Sequence, residues 1–291
     1  RQSVMACNLG ALADEPGDNP QRTYGLWYQW GRKDPFPSGK ESYHHYAYEY
    51  SNEYIISVYD RTGTMIKMTS TIGTGELFQA LLTNADIGTI DYVTKHPTHM
   101  VYAQSTTVIN EGDWFWGHED RLWGGTPFED ADNVFQIDED SYLSDNGAIE
   151  KSIFDPCPAG WMMPPIDMWL GFTKTGLNVN DVTYANINCV ETTTAENTEH
   201  RGFHMYMDGA KWDSNVQDLR ISFFPSTGYR NIQGNPIRNG VCGNYHTSTP
   251  TQNGTVNVFH LHVTNIVNIF DENDFMYRAI AGPVRCVREH E

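Results

Sequence analysis

The sequence predicts an α+β chain made mostly of antiparallel strands, with few short helices and long loops. Three observations carry this. Short runs of β-branched and aromatic residues recur along the chain, each closed by Gly, Pro or a polar turn. Helical periodicity is confined to brief stretches, Gly75 to Ala85 and Ile166 to Phe172. The segments between are long and polar, as in the Asn- and Thr-rich Asn178 to Glu199.

Taken in order, Val4 to Leu12 reads as a short strand ending at the polar turn Asp14 to Pro20. Gly25 to Trp30 is a compact aromatic run closed by Gly31 and Asp34-Pro35, the pattern of large side chains anchoring a core. Pro37 to Tyr54 crowds Tyr43, Tyr46, Tyr48, Tyr50 and Tyr54 with His44 and His45. Tyrosine offers rigid contact area with a polar tip, so this stretch suits recognition; the competing reading is a solvated insertion. Ile55 to Tyr59 and Thr64 to Met68 are strand candidates around the turn Asp60-Arg61-Thr62-Gly63. The helix at Gly75 to Ala85 is followed by a loop, Asp91 to His99, broken at Pro97, and by a strand, Met100 to Ile109. In Asp113 to Gly125, Trp114, Trp116 and Trp123 could stack on sugar rings if exposed, although burial is the common fate of tryptophan. Phe203 to Met207, Leu219 to Phe224 and Thr227 to Arg230 read as strands.

Charge and cysteine usage exclude several function classes. The chain has 291 residues and 37 acidic against 19 basic side chains, so its net charge of −18 repels phosphate backbones and anionic membranes. No apolar run approaches the roughly 20 residues of a membrane-spanning helix. Hydrophobic residues make up 39%, enough for a sizeable core and too many for global disorder. The five cysteines, Cys7, Cys157, Cys189, Cys242 and Cys286, show no Cys-x-x-Cys spacing, which removes zinc-ribbon and thioredoxin-type readings. The acidic run Glu129 to Asp145 and the cluster Asp271 to Asp274 lack the EF-hand register and read as solvated loops, so no metal is expected. There is no Gly-x-Ser-x-Gly elbow, phosphate-binding Gly loop or His-Glu-x-x-His helix. The expectation is a protein without catalytic residues or cofactors, a cryptic hydrolase being the remote alternative.

The C-terminal stretch is the most informative. Tyr277 to Val287 alternates like a strand with one buried face, and Met276 to Val287 is expected to form a scaffold strand. Before it, Thr255 to Phe270 is equally strand-prone yet places Asn257, His260, His262, Asn265 and Asn268 among Val, Ile, Leu and Phe. Side chains alternate faces along a strand, and the apolar parity switches between Val258 and Phe259, which predicts a turn or bulge there. A solvent-exposed recognition face is therefore expected on Tyr245, His246, Asn257, His260, His262, Asn265 and Asn268, with Phe259 and Phe270 counted as further ligand-binding residues. His260 and His262 also have zinc-compatible spacing, with His246, Asp271 or Asp274 as third-ligand options, but no third ligand has motif spacing.

Four motifs now acquire meaning together: YGLWYQWGRKDPF (Tyr24 to Phe36), KSIFDPCPAGWMMP (Lys151 to Pro164), FFPSTGYR (Phe223 to Arg230) and GPVRCVRE (Gly282 to Glu289), the last preceded by Arg278. In this order they resemble the Fibrobacter succinogenes major paralogous domain, found in surface and fimbrial-tip proteins of Bacteroidetes. The resemblance runs from NLGAL (Asn8 to Leu12) to the end and is weakest between about 40 and 110, which reads as an insertion. It implies one domain, 1–291, with a C-type-lectin-like fold related in architecture to formylglycine-generating enzymes, and binding rather than chemistry. Cys157 and Cys286 both lie in its scaffold motifs, so it points to a disulfide between them. The chain departs where the family usually has Tyr-Trp-Ser/Thr-Ser and this sequence has Tyr245-His246-Thr247-Ser248.

A second resemblance concerns residues 240–275. In some C-type-lectin-like proteins of gut bacteria and their phages a diversity-generating retroelement rewrites the C-terminal stretch by mutating adenines. Every residue from Asn253 to Asp271 belongs to the set reachable from Asn codons by that route. The implied function is an adhesin or fimbrial-tip domain on the extracellular face of a bacterium. It would bind a protein or glycan on another cell or host surface, with pilin subunits as further partners. The alternative is a phage receptor-binding protein on a virion. No signal-peptide pattern is visible from Arg1, and the chain is expected to begin at the domain's first strand, with any leader or anchor lying outside it.

Overall fold

Strand-prone runs separated by Gly and Pro become short strands, because each must pair to satisfy its backbone amides before the next turn interrupts it. The computed structural model describes residues 3–17, 20–38, 55–59, 65–69, 79–102, 112–125, 150–165, 168–169, 172, 189–192, 202–206, 221–232, 234, 236–251, 255–262, 266–268 and 275–289. In chain order these hold β1 (Leu26–Gln29), β2 (Pro35–Pro37), β3 (Ile55–Tyr59), β4 (Met65–Thr69), β5 (Gln79–Leu82), α1 (Ile90–Lys95) and β6 (His99–Tyr102). There follow β7 (Trp161–Met162), β8 (Cys189–Thr192), β9 (Gly202–Tyr206), β10 (Ile221–Pro225), β11 (Tyr229–Arg230) and β12 (Pro236–Ile237). The C-terminal part adds β13 (Cys242–Thr251), β14 (Thr255–His262), β15 (Ile266–Asn268), β16 (Phe275–Tyr277), β17 (Ala281–Pro283) and β18 (Val287–Arg288). The architecture is mostly antiparallel sheet with very few helices.

One sheet runs β12-β11-β17-β1-β2, so the C-terminal strand β17 sits between β11 and the N-terminal strand β1. A second is β10-β9-β8, and a third joins β13, β14 and β15, with β16 also on β14. The expected scaffold strand from Met276 to Val287 is in fact three short strands. The chain turns at Arg278–Ile280 and leaves the ladder after Pro283, which has no amide proton to donate. Likewise the expected strand from Val4 to Leu12 is no regular strand: it contributes a bridge from Val4 to Val287 and separate backbone bonds from Met5 to Cys286 and from Leu9 to Val284.

Two expectations in the insertion are reversed. Gln79–Leu82, read as helix, is a strand paired in parallel with His99–Tyr102, and Ile90–Lys95, read as loop, is the helix. The two errors have one cause. Parallel neighbours need a long crossover, and here the crossover carries α1. Thr89 caps it by accepting the Tyr92 amide, Asp91 occupies the first turn, Lys95 the last, and Pro97 follows the end. The hairpin of β3 and β4 forms as read, in register from Ile55↔Thr69 to Tyr59↔Met65. The Tyr-rich stretch beyond Ser38 up to Tyr54, the turn at Asp60 to Gly63 and the acidic runs Glu129 to Asp145 and Asp271 to Asp274 lie outside the described residues.

Aromatic side chains fill the core. Trp27, Trp30, Trp114, Trp123 and Trp169 are completely buried, and three of their indoles donate to backbone carbonyls: Trp30 to Thr247 (3.0 Å), Trp114 to Trp30 (2.6 Å) and Trp123 to Phe154 (3.1 Å), while Trp27 donates to the Thr227 hydroxyl (3.3 Å). Four arginines are buried among them. Arg278 lies over the Trp30 ring at 4.4 Å and pairs with Asp113 and Asp120, while Arg32 serves the Gln29 side chain and the His99 and Pro97 carbonyls. Arg230 bonds the Gly234 carbonyl over Trp27, and Arg285 stands at the junction of the chain's two ends.

The Lys151–Pro164 motif closes on a buried carboxylate. Asp155 accepts the Cys157 and Met163 amides at 2.7 and 2.9 Å and pairs with Lys151 at 3.0 Å; Lys151 in turn bonds the Cys157 and Trp161 carbonyls. Burial raises the Asp155 pKa, against the pull of those amides and of Lys151. This hinge presents Cys157 to Cys286, and the two are bonded.

Candidate functional site

The recognition segment expected at the C-terminal end is built on β13 and β14. They pair from Cys242↔His262 through Asn244↔His260 to His246↔Val258, then resume at Pro250↔Val256. Four steps along β13 match two along β14, so the extra residues belong to β13 at Thr247 to Thr249. The bulge expected between Val258 and Phe259 is thus displaced onto the partner strand, opposite Asn257. Its backbone finds other partners. The Thr247 carbonyl accepts the Trp30 indole, and the Ser248 amide donates to the Pro164 carbonyl at 2.8 Å. Gly125 permits the fit, since a Cβ there would come within 2.0 Å of the Ser248 oxygen.

This seating corrects the expectation that Tyr245 and His246 face solvent: both are 0% exposed. Tyr245 packs on Phe224, donates its hydroxyl to the Pro225 carbonyl (2.8 Å) and has its pKa raised by burial to about 12. His246, on the opposite face of the strand, meets the edge of Trp123 at 5.6 Å. Above it β17 passes so closely that a Cβ on Gly282 would stand 3.1 Å from the imidazole and 2.8 Å from the Asn244 carbonyl. Neither imidazole nitrogen has a hydrogen-bond partner, nor does Oδ1 of the adjacent buried Asn244. Burial lowers the His246 pKa to about 4, against a smaller opposing pull from the Ile280 backbone.

For the rest of the segment the structure gives the backbone. β14 is bonded along both edges, to β13 on one side and to β15 and β16 on the other, with His260↔Asn268, His262↔Ile266 and Asn257↔Phe275 as register pairs. The side chains of Asn257, Phe259, His260, His262 and Asn268 lie outside the described residues, as do Asn265 and Phe270 entirely. The backbone places His260 beside both Asn244 and Asn268 across three strands.

Arg285, which the sequence marks only as part of a motif, ties the N-terminal segment to β10. Its Nε donates to Asn8 Oδ1 (3.0 Å), Nη1 to the Met5 and Ala6 carbonyls and Ser222 Oγ, and Nη2 to the Phe223 carbonyl; the guanidinium stacks over Phe224 at 4.1 Å. Among the described residues its partners are carbonyl, amide and hydroxyl oxygens rather than carboxylates, and burial lowers its pKa.

Of the three tryptophans considered for sugar stacking, Trp114 and Trp123 are core, whereas Trp116 is 47% exposed. The described residues contain no group of three or more His, Cys, Asp or Glu side chains placed to hold a metal ion. The neighbouring rings of Tyr92, His96 and His99 stack at 4.4 to 5.9 Å, and Tyr92 Oη bonds His99 Nδ1 at 2.9 Å, which accounts for that cluster as packing at the end of α1. No protein-family model, curated protein or solved structure matches this chain.

Proposed function

We propose that the chain is a single C-type-lectin-like domain acting without catalysis at a bacterial cell surface. It would be an adhesin or fimbrial-tip module whose ligand, a protein or glycan on another surface, is held by β14, β15 and the loops beside them. One observation supports this reading above the others: β14, which carries Asn257, Phe259, His260 and His262, is fastened along both edges to a deeply packed scaffold. A strand fixed in this way can vary its side chains with little effect on the fold, because the backbone bonds that place it are indifferent to side-chain identity. Asn and His then supply adaptable hydrogen bonding beside the apolar area of Phe259 and Phe270. Variation confined to Asn253 to Asp271 by adenine-directed mutagenesis fits the same design. With Tyr245 and His246 assigned to the core, the recognition set reduces to Asn257, Phe259, His260, His262, Asn265, Asn268 and Phe270.

The purified chain, screened on glycan and protein arrays, is expected to bind a discrete set of surface ligands. Replacing Asn257, His260 and His262 together by Ala should abolish that binding while moving stability by no more than about 0.5 kcal/mol per site. Loss of folding in this triple variant would return β14 to the core and remove the proposed surface.

A further inference from the structure

Trp116 is the one described tryptophan whose ring is substantially in water, at 47% exposure, and every neighbouring feature fixes it in place. Its amide donates to the Gly88 carbonyl at 2.9 Å. On one side of it the Trp114 carbonyl accepts the Thr83 hydroxyl (2.7 Å) and the Trp114 indole donates into the core. The Phe115 amide is taken by Asp113 Oδ1, and Asp113 is itself gripped by Arg278. On the other side Gly117 lies against the Phe115 ring, where a Cβ would come within 2.7 Å. His118 then takes a left-handed conformation, φ 49°, which turns the chain back and leaves its side chain exposed. An apolar side chain held out on so rigid a turn gains nothing for the core, and the turn is not free to fold it away.

We propose that Trp116 is the platform of a second binding site, independent of β14 and β15, for the face of an uncharged hexopyranose. The axial C–H bonds of a pyranose form an apolar face that lies against an indole, and its hydroxyls need donors and acceptors at the ring's edge. Exposed His118 and Glu119 stand next to Trp116 in the same turn, with Glu119 oriented by the bond from the Arg121 amide to its Oε1 (2.9 Å). The charge of the surroundings selects the sugar class. Exposed Glu119 is the acid of this turn that is open to solvent, Asp113 and Asp120 being paired with Arg278, and a chain carrying −18 disfavours sialylated, sulfated or uronic sugars. Pre-organisation of the turn keeps the entropic cost of capture low, which matters for a contact made by a single ring.

The test uses the full chain and saturation-transfer NMR with methyl β-glucoside, methyl β-galactoside and N-acetylglucosamine as probes. Transfer to the axial ring protons of at least one probe is expected. Trp116→Ala should weaken it about tenfold or more, Trp116→Phe less, with circular dichroism and melting unchanged for both. Sialic acid should show no transfer. The triple variant of Asn257, His260 and His262 should retain the signal, which separates this site from the one on β14. Absence of transfer from all three probes, or equal transfer in Trp116→Ala, overturns the proposal.

Discussion

Arg285 and His246 are both polar, both wholly buried, and lie near opposite faces of the same strand, yet they are built in opposite ways. Arg285 distributes five hydrogen bonds over Asn8, Met5, Ala6, Ser222 and Phe223. His246 makes none among the described residues, feels only the Ile280 backbone electrostatically, and is held by packing against Trp123 and the backbone of Gly282. The difference teaches where the scaffold is strong and where it is vulnerable. A buried charge surrounded by oriented dipoles organises the chain, whereas a buried imidazole without partners is tolerated only while it stays neutral.

The largest effect is expected beside Arg285, at the covalent tie. The Cys157–Cys286 bond closes a loop with a sequence separation of 129, and its removal by a Ser pair should cost about 5 kcal/mol in the chain-entropy model, read as a lower denaturant midpoint. Next, Arg285→Met should cost roughly 3 to 5 kcal/mol by stranding the buried acceptors Asn8 Oδ1, Ser222 Oγ and the Phe223 carbonyl, and Arg285→Lys should recover little, since one ammonium cannot span the same acceptors. If Arg285→Met proved as stable as the parent, packing rather than hydrogen bonding would be what holds the two ends together.

The smallest of the three effects sharpens the comparison from the other side. An unfolded histidine titrates near 6.5, whereas folded His246 resists protonation until about 4. Between these values the unfolded chain takes up a proton that the folded chain does not, so stability falls as pH falls through that window and is unaffected above it. The gap corresponds to about 3 kcal/mol. Denaturation of His246→Phe between pH 7 and 4 should show that much less acid loss than the parent, with stability at pH 7 equal or slightly higher. An identical pH profile in both proteins would mean that His246 is not sealed.

These residues also show what a sequence makes legible. The turn signal Asp60-Arg61-Thr62-Gly63 between Ile55 to Tyr59 and Thr64 to Met68 specified a hairpin because both strands are close in sequence, and the structure shifts the second by one residue, to Met65–Thr69. Gln79–Leu82 was opaque because Ala80, Leu81 and Leu82 favour a helix in isolation, and only pairing with Met100 and Val101 makes them a strand. The caps of α1, Thr89 and Lys95 with Pro97 beyond, were readable and were outweighed by the proline. The placement of His246 was misjudged for a different reason. Polar Tyr-His-Thr-Ser composition suggests solvent, and only distant parts of the chain, Trp123, Pro164 and Gly282, enclose it. Nothing local indicates that Ser248 bonds Pro164, 84 residues away in sequence.

The partners of Arg285 also set a schedule for the protein's birth. Its contacts reach back 277 to 280 residues to Asn8, Ala6 and Met5, so each of them emerges from the ribosome long before the side chain that will enclose it. At roughly 5 to 20 residues per second the wait is on the order of tens of seconds, during which the N-terminal segment has no finished sheet to join. Contacts of such span also slow the search itself, because loop closure precedes any gain from them. The contacts that join the two ends of this sequence therefore form late, after the final strands have been made.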